Sequence, residues 1–116
     1  MLATRNPPQL RVAVIGGLTR ATDQWRRAGA AIGVQLEHHD GQSAGRRAAD
    51  ITSIVRRADV VLIITDLNSH NGVAQARRAA LAHQRPHLLL RRLRPDGVAQ
   101  AITEAQATAR TLQVAS

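Results

Sequence analysis

The chain has no cysteine, lysine, phenylalanine or tyrosine, and one tryptophan among its 116 residues. Without thiols there are no disulfides, thiolate metal sites, thioether-attached haem or cysteine nucleophiles, so any metal must be held by histidine, carboxylate or carbonyl oxygen. The scarcity of aromatic rings argues against a stacking platform for single-stranded nucleic acid. No apolar run approaches the roughly 20 residues of a membrane-spanning helix, and candidates such as positions 60–64 and 88–90 are strand-sized. A soluble, cytoplasmic protein with no membrane partner is the expectation. Residues 1–9 carry Pro7 and Pro8 and lack the apolar core of a secretory signal, so they read as a flexible leader. Residues 10–114 then form one ligand-binding domain, large enough for a single core and one site per protomer.

What is abundant is arginine. All sixteen basic residues are Arg, against eight acidic ones, for a formal charge of +8. They fall largely as pairs, Arg26-Arg27, Arg46-Arg47, Arg56-Arg57, Arg77-Arg78 and Arg91-Arg92, mostly inside helical segments, which spreads them over several faces. An acidic partner would explain the excess. GC-rich coding inflates arginine and alanine together and explains it equally well, so charge alone names no partner.

Apolar spacing divides the chain regularly. A β-branched run at positions 11–15, closed by Gly16-Gly17, reads as a buried parallel strand. Trp25, Ala28 and Ile32 share one face of a helix over positions 23–32, which Gly33 stops. A second strand follows at 34–38, then a turn at 40–45 and a helix at 46–57 with Ala48, Ile51 and Val55 on one stripe. Residues 60–65 are apolar on both faces and predict a central strand. A third helix is expected over about 72–82, with Ser69 as its N-cap. A fourth strand is expected at 87–90 after Pro86, and a last helix capped by Asp96 with Val98, Ile102, Ala105, Ala109 and Leu112 on its buried stripe.

Four alternations of strand and helix imply an α/β fold, a small doubly wound four-stranded parallel sheet of order 2-1-3-4 with helices on both faces, in the Rossmann or flavodoxin manner. Ligands bind such sheets above the strand ends where the order reverses, here between the first and third strands. Gly16-Gly17, His39-Asp40 and the segment from Asp66 to His70 all map to that rim. Gly-Gly after the first strand, His-Asp-Gly after the second, Ala-Asp-Val-Val before a third ending in Thr-Asp, and Ser-His just beyond resemble the small bacterial family called domain of unknown function 2325, over about positions 12–90. The matching positions are Gly16, Gly17, His39, Asp40, Gly41, Asp59, Asp66, Ser69, His70 and Pro86. Gln42 replaces a second glycine, and arginines replace the family's lysines near the third helix. The resemblance also hints at haem binding.

Strands two places apart lie roughly 10 Å from each other, so imidazoles of His39 and His70 reaching inward from either side would bracket one metal ion. Haem b is the cofactor this reading favours, with an open iron position suited to a diatomic gas. Asp66 or Asp40 would orient the second ring nitrogen, and Arg20, Arg46 and Arg47 would pair with propionates. Leu18, Leu67 and Val73 would have to replace the usual aromatic walls. His38 alternates with His39 and reads as structural, while His83 and His87 fall at the opposite rim. A non-catalytic ligand-binding or sensing module is therefore expected. The alternatives are an anion-binding regulatory domain for a nucleotide or nucleic-acid backbone, using Gly16-Gly17 and helix N-termini, and an interaction protein that buries a sheet edge in a homodimer. Gly16-Gly17 lacks the third glycine of a dinucleotide fingerprint, and close passage of the chain explains the two glycines as well.

Overall fold

In the computed structural model, which describes residues 9–115, four parallel strands pair in the order β2-β1-β3-β4. They are β1 (Leu10–Ile15), β2 (Val34–His39), β3 (Val60–Ile64) and β4 (His87–Leu90), and the helices between and after them are α1 (Thr22–Ala31), α2 (Arg47–Arg57), α3 (His70–Ala82) and α4 (Val98–Ala115). The order is the expected one, with the reversal between β1 and β3. Most of the leader, residues 1–8, lies outside the described residues, as does the Leu112 side chain on the last helix.

The central strands are apolar on both faces because both faces are covered. Val12, Val14, Val60, Leu62 and Ile64 pack with Trp25 of α1 and with Val98, Ile102 and Ala105 of α4. Ala13, Ile15, Val61 and Ile63 point the other way, onto Ile51 and Val55 of α2 and Ala76, Ala79 and Ala80 of α3. Alanine on α3 lets that helix lie close to the sheet. No helix among the described residues is long and apolar enough to cross a membrane.

Beyond shifts of one or two residues at other element ends, two local differences from the sequence expectation bear on the rim. Strand β2 runs one residue further, through His39, which pairs with Ile15. Asp96 does not cap α4: it lies inside a short 3-10 turn, Pro95–Gly97, whose N-cap is Arg94. Pro95 explains the shift, since its fixed φ and missing N–H suit the first position of a helical turn.

Candidate functional site

At the C-terminal rim, the turns after β1, β2 and β3 close around one side chain, Asn68. Its Nδ2 donates to the Ile64 carbonyl at 2.7 Å and the Ile15 carbonyl at 3.3 Å, and its Oδ1 accepts from the Ser69 amide at 2.8 Å. Three glycines make room for it. A Cβ on Gly16 would come within 2.6 Å of Asn68 Nδ2, one on Gly41 would overlap Oδ1, and one on Gly72 would overlap the Gly41 carbonyl. Ser69 caps α3 as expected: its hydroxyl accepts from the Gly72 amide at 2.8 Å and donates to the Gly41 carbonyl at 3.0 Å. Two backbone bonds complete the stitching, Gly16 N–H to His39 O at 2.7 Å and Gly17 N–H to Leu67 O at 3.0 Å.

The strand-end histidines serve the same purpose. His38 lies edge-on to Trp25, its Nε2 against the Gly16 carbonyl at 2.7 Å and its Nδ1 against the Thr22 hydroxyl at 2.6 Å. Because a carbonyl only accepts, Nε2 carries the proton and Nδ1 accepts from Thr22. His39 is buried, and its Nδ1 accepts the Gly41 amide at 2.9 Å, while the Arg47 backbone also engages the ring. Burial holds both rings below the ordinary histidine pKa, against a hydrogen bond to Gly16 for His38 and the charge of Asp40 for His39. Asp40 approaches His39 Nδ1 at 3.7 Å, but that nitrogen is an acceptor, so the contact is not an ion pair. Asp40 instead takes both its oxygens to Arg47 Nη2 at 2.9 Å. Burial opposes its ionisation, yet the Gln42 amide and the Arg47 guanidinium outweigh that and hold the carboxyl below its usual range.

A cleft of about 570 Å³ opens at this rim, on the side of the sheet covered by α1 and α4. Gly17, Leu18, Ala21 and Trp25 line it after β1, Ile64, Asp66 and Leu67 after β3, and Arg91, Arg92 and Leu93 after β4. Trp25 fixes the β4 side by donating its indole N–H to the Leu93 carbonyl at 3.0 Å. Leu67 is 66% exposed and sits at φ +53°, an uncommon conformation for a branched apolar residue. The guanidiniums of Arg91 and Arg92 approach Asp66 at 3.7 and 3.5 Å, and both side chains are mostly exposed.

With that geometry in place, comparison with protein families finds a match over residues 11–105, described as an uncharacterized protein conserved in bacteria (DUF2325). The chain belongs to this family. No curated protein and no solved structure matches it.

Within this DUF2325 chain, the rim residues singled out from sequence divide into two groups. Gly16, Gly41, Ser69, His39, Asp40 and Arg47 form the stitched turns, together with Asn68, which sequence reasoning missed. Gly17 and Asp66 line the cleft, with Trp25, Arg91 and Arg92, whose part in it was also missed. His39 and His70 stand in different settings, one buried and one exposed. As a strand residue, His39 directs its ring toward the α2 and α3 side of the sheet, whereas His70 is exposed in the first turn of α3. The recess beside His70, about 290 Å³, is lined by Thr65, Asn68, Ser69, Val73, Ala74 and Arg77, not by His39. With His39 Nδ1 engaged by the Gly41 amide, His70 is the accessible imidazole of the two. Arg20 lies in the 3-10 turn Thr19–Ala21 and Arg46 at the N-cap of α2, and neither lines the cleft.

Proposed function

We propose that this chain is a non-catalytic ligand-binding or sensing module whose ligand occupies the cleft between Trp25, Leu67 and Leu93. The observation that carries this reading is the place where the cleft opens: the loops after β1, β3 and β4 converge on it, beside the point where the sheet order reverses. Its volume and mostly apolar lining suit a small molecule. The one carboxylate in the lining, Asp66, is engaged by two guanidiniums rather than aimed at a hydroxyl, thiol or imidazole, which favours binding over catalysis. The test is mass spectrometry of the small molecules released when the purified protein is denatured. A molecule present with the parent chain and lost with Leu67→Glu is the expected result, and a molecule retained by that variant contradicts the reading.

A second reading keeps a metal centre, haem b included, at His70. It is favoured by the exposure of that ring and by the fixed position of Ser69, tied to both Gly41 and Gly72. Haem would supply iron with a position open to a diatomic gas, and this chain would supply one imidazole. A Soret band in haem-supplemented protein, abolished by His70→Ala and kept by His39→Gln, is the outcome this reading requires. Protein that shows no such band rejects it.

A further inference from the structure

We infer that the cleft selects an apolar ligand bearing an acidic group, and that Asp66 acts as a tether which holds Arg91 and Arg92 at the mouth until that group displaces it. This rests on the cleft being the ligand site. Trp25 and the apolar side chains Leu18, Ala21, Ile64, Leu67 and Leu93 form walls with few hydrogen-bonding groups, so the body of the ligand must be apolar.

The polar groups converge at one end. Two guanidiniums share a single carboxylate there at 3.5–3.7 Å, beyond good hydrogen-bonding distance, and both side chains are 83% exposed. Asp66 thus leaves an excess of one positive charge and most of ten N–H donors unpaired at the entrance. A carboxylate, sulfonate or phosphate carried by a molecule seated against Trp25 would meet donors already gathered on that side, with the planar guanidinium suited to two-oxygen recognition. Elsewhere in the molecule, Arg47 is paired at 2.9 Å with Asp40 and Arg57 with Glu37, so the arginines at the cleft mouth are the loosely held ones of these pairs.

The sole tryptophan of the chain forms a wall of this cleft, which gives a direct optical test. The probes are anilinonaphthalene sulfonate and its uncharged counterpart, phenylnaphthylamine, each titrated into the full chain while energy transfer from Trp25 is recorded. The sulfonate is expected to bind more tightly than the neutral probe. Arg91→Gln with Arg92→Gln should weaken the sulfonate about tenfold, the effect of losing one charge-assisted contact, and leave phenylnaphthylamine unchanged. Asp66→Asn should tighten the sulfonate, because it removes the competing carboxylate. Equal binding of the two probes, or equal loss of both in the double arginine variant, overturns the acidic selectivity while leaving the cleft as a site. Absence of transfer from Trp25 with either probe overturns the cleft reading and this inference together. Thermal melts of each variant confirm that the exposed substitutions leave the fold intact.

Discussion

Ser69 donates its hydroxyl to the carbonyl of Gly41 at 3.0 Å, joining the start of α3 to the turn after β2 across 28 residues of chain. The same oxygen accepts the Gly72 amide, so one side chain caps a helix and fastens a neighbouring loop. Ser69→Ala should cost about 1–2 kcal/mol, the upper range for losing a helix cap, because a second bond goes with it. Urea unfolding measures the cost. Amide exchange at residues 40–45 should quicken by more than the global loss predicts, and a uniform change would mean the loop tie contributes nothing.

Gly72→Ala should destabilise the protein even though the position is helical. Alanine is ordinarily favoured over glycine in a helix by about 1 kcal/mol. Here its Cβ would overlap the Gly41 carbonyl, which is backbone and cannot rotate away. A net loss of about 1–3 kcal/mol is expected in denaturant midpoints, typical of forced overpacking. Asn68→Ala should not rescue it, since the obstructing Gly41 carbonyl remains.

Stability should fall on mild acidification. His38 and His39 both lie below the ordinary histidine value because burial penalises their charged forms. The unfolded chain therefore binds more protons than the folded one as pH drops below about 6.5, so stability is fully present above that value and is lost as pH falls toward the depressed folded values. The carboxyls of Glu37, held down by its hydrogen bond to Arg57, and of Asp40 give up their contributions only at lower pH. Charging His39 also costs the Gly41 hydrogen bond, because Nδ1 can no longer accept. Urea midpoints at neutral pH and at about pH 5.5 should differ in the parent chain and differ less in His39→Gln. A parent midpoint that does not move across this interval contradicts the assignment.

The architecture was legible because the two runs without a polar face, in β1 and β3, call for a covered central pair, and the chain alternates four strand-length segments with amphipathic helices. Gly16-Gly17, Ser69 and the rim itself could be placed for the same reason. Asn68 could not, because its role depends on carbonyls of β1 and β3 that only the strand register brings together. His39 illustrates how one residue of strand length decides a face: ending β2 at residue 38 would have left it a loop side chain free to turn upward, and pairing with Ile15 directs it downward. Arg91-Arg92 was one of five similar pairs in the sequence. Its distinction comes from the β3–β4 pairing that sets it beside Asp66.

Leu67 should show an exchange of stability for binding. Its left-handed backbone costs a branched residue about 1 kcal/mol or more, and its mostly exposed side chain returns little through burial. Leu67→Gly should raise the unfolding free energy by about 0.5–1 kcal/mol and weaken apolar probes that rest against the cleft lip. Calorimetric melting and probe titration check the two halves separately. A variant that is less stable would show that Leu67 packs rather than waits.

The most direct test of the cleft as the ligand site is amide and indole shift mapping by nuclear magnetic resonance during titration with anilinonaphthalene sulfonate. The account predicts that the largest shifts fall on Gly17, Leu67, Leu93 and the Trp25 indole N–H. Shifts gathered instead on His70, Val73 and Arg77 would contradict it and move the site to the start of α3.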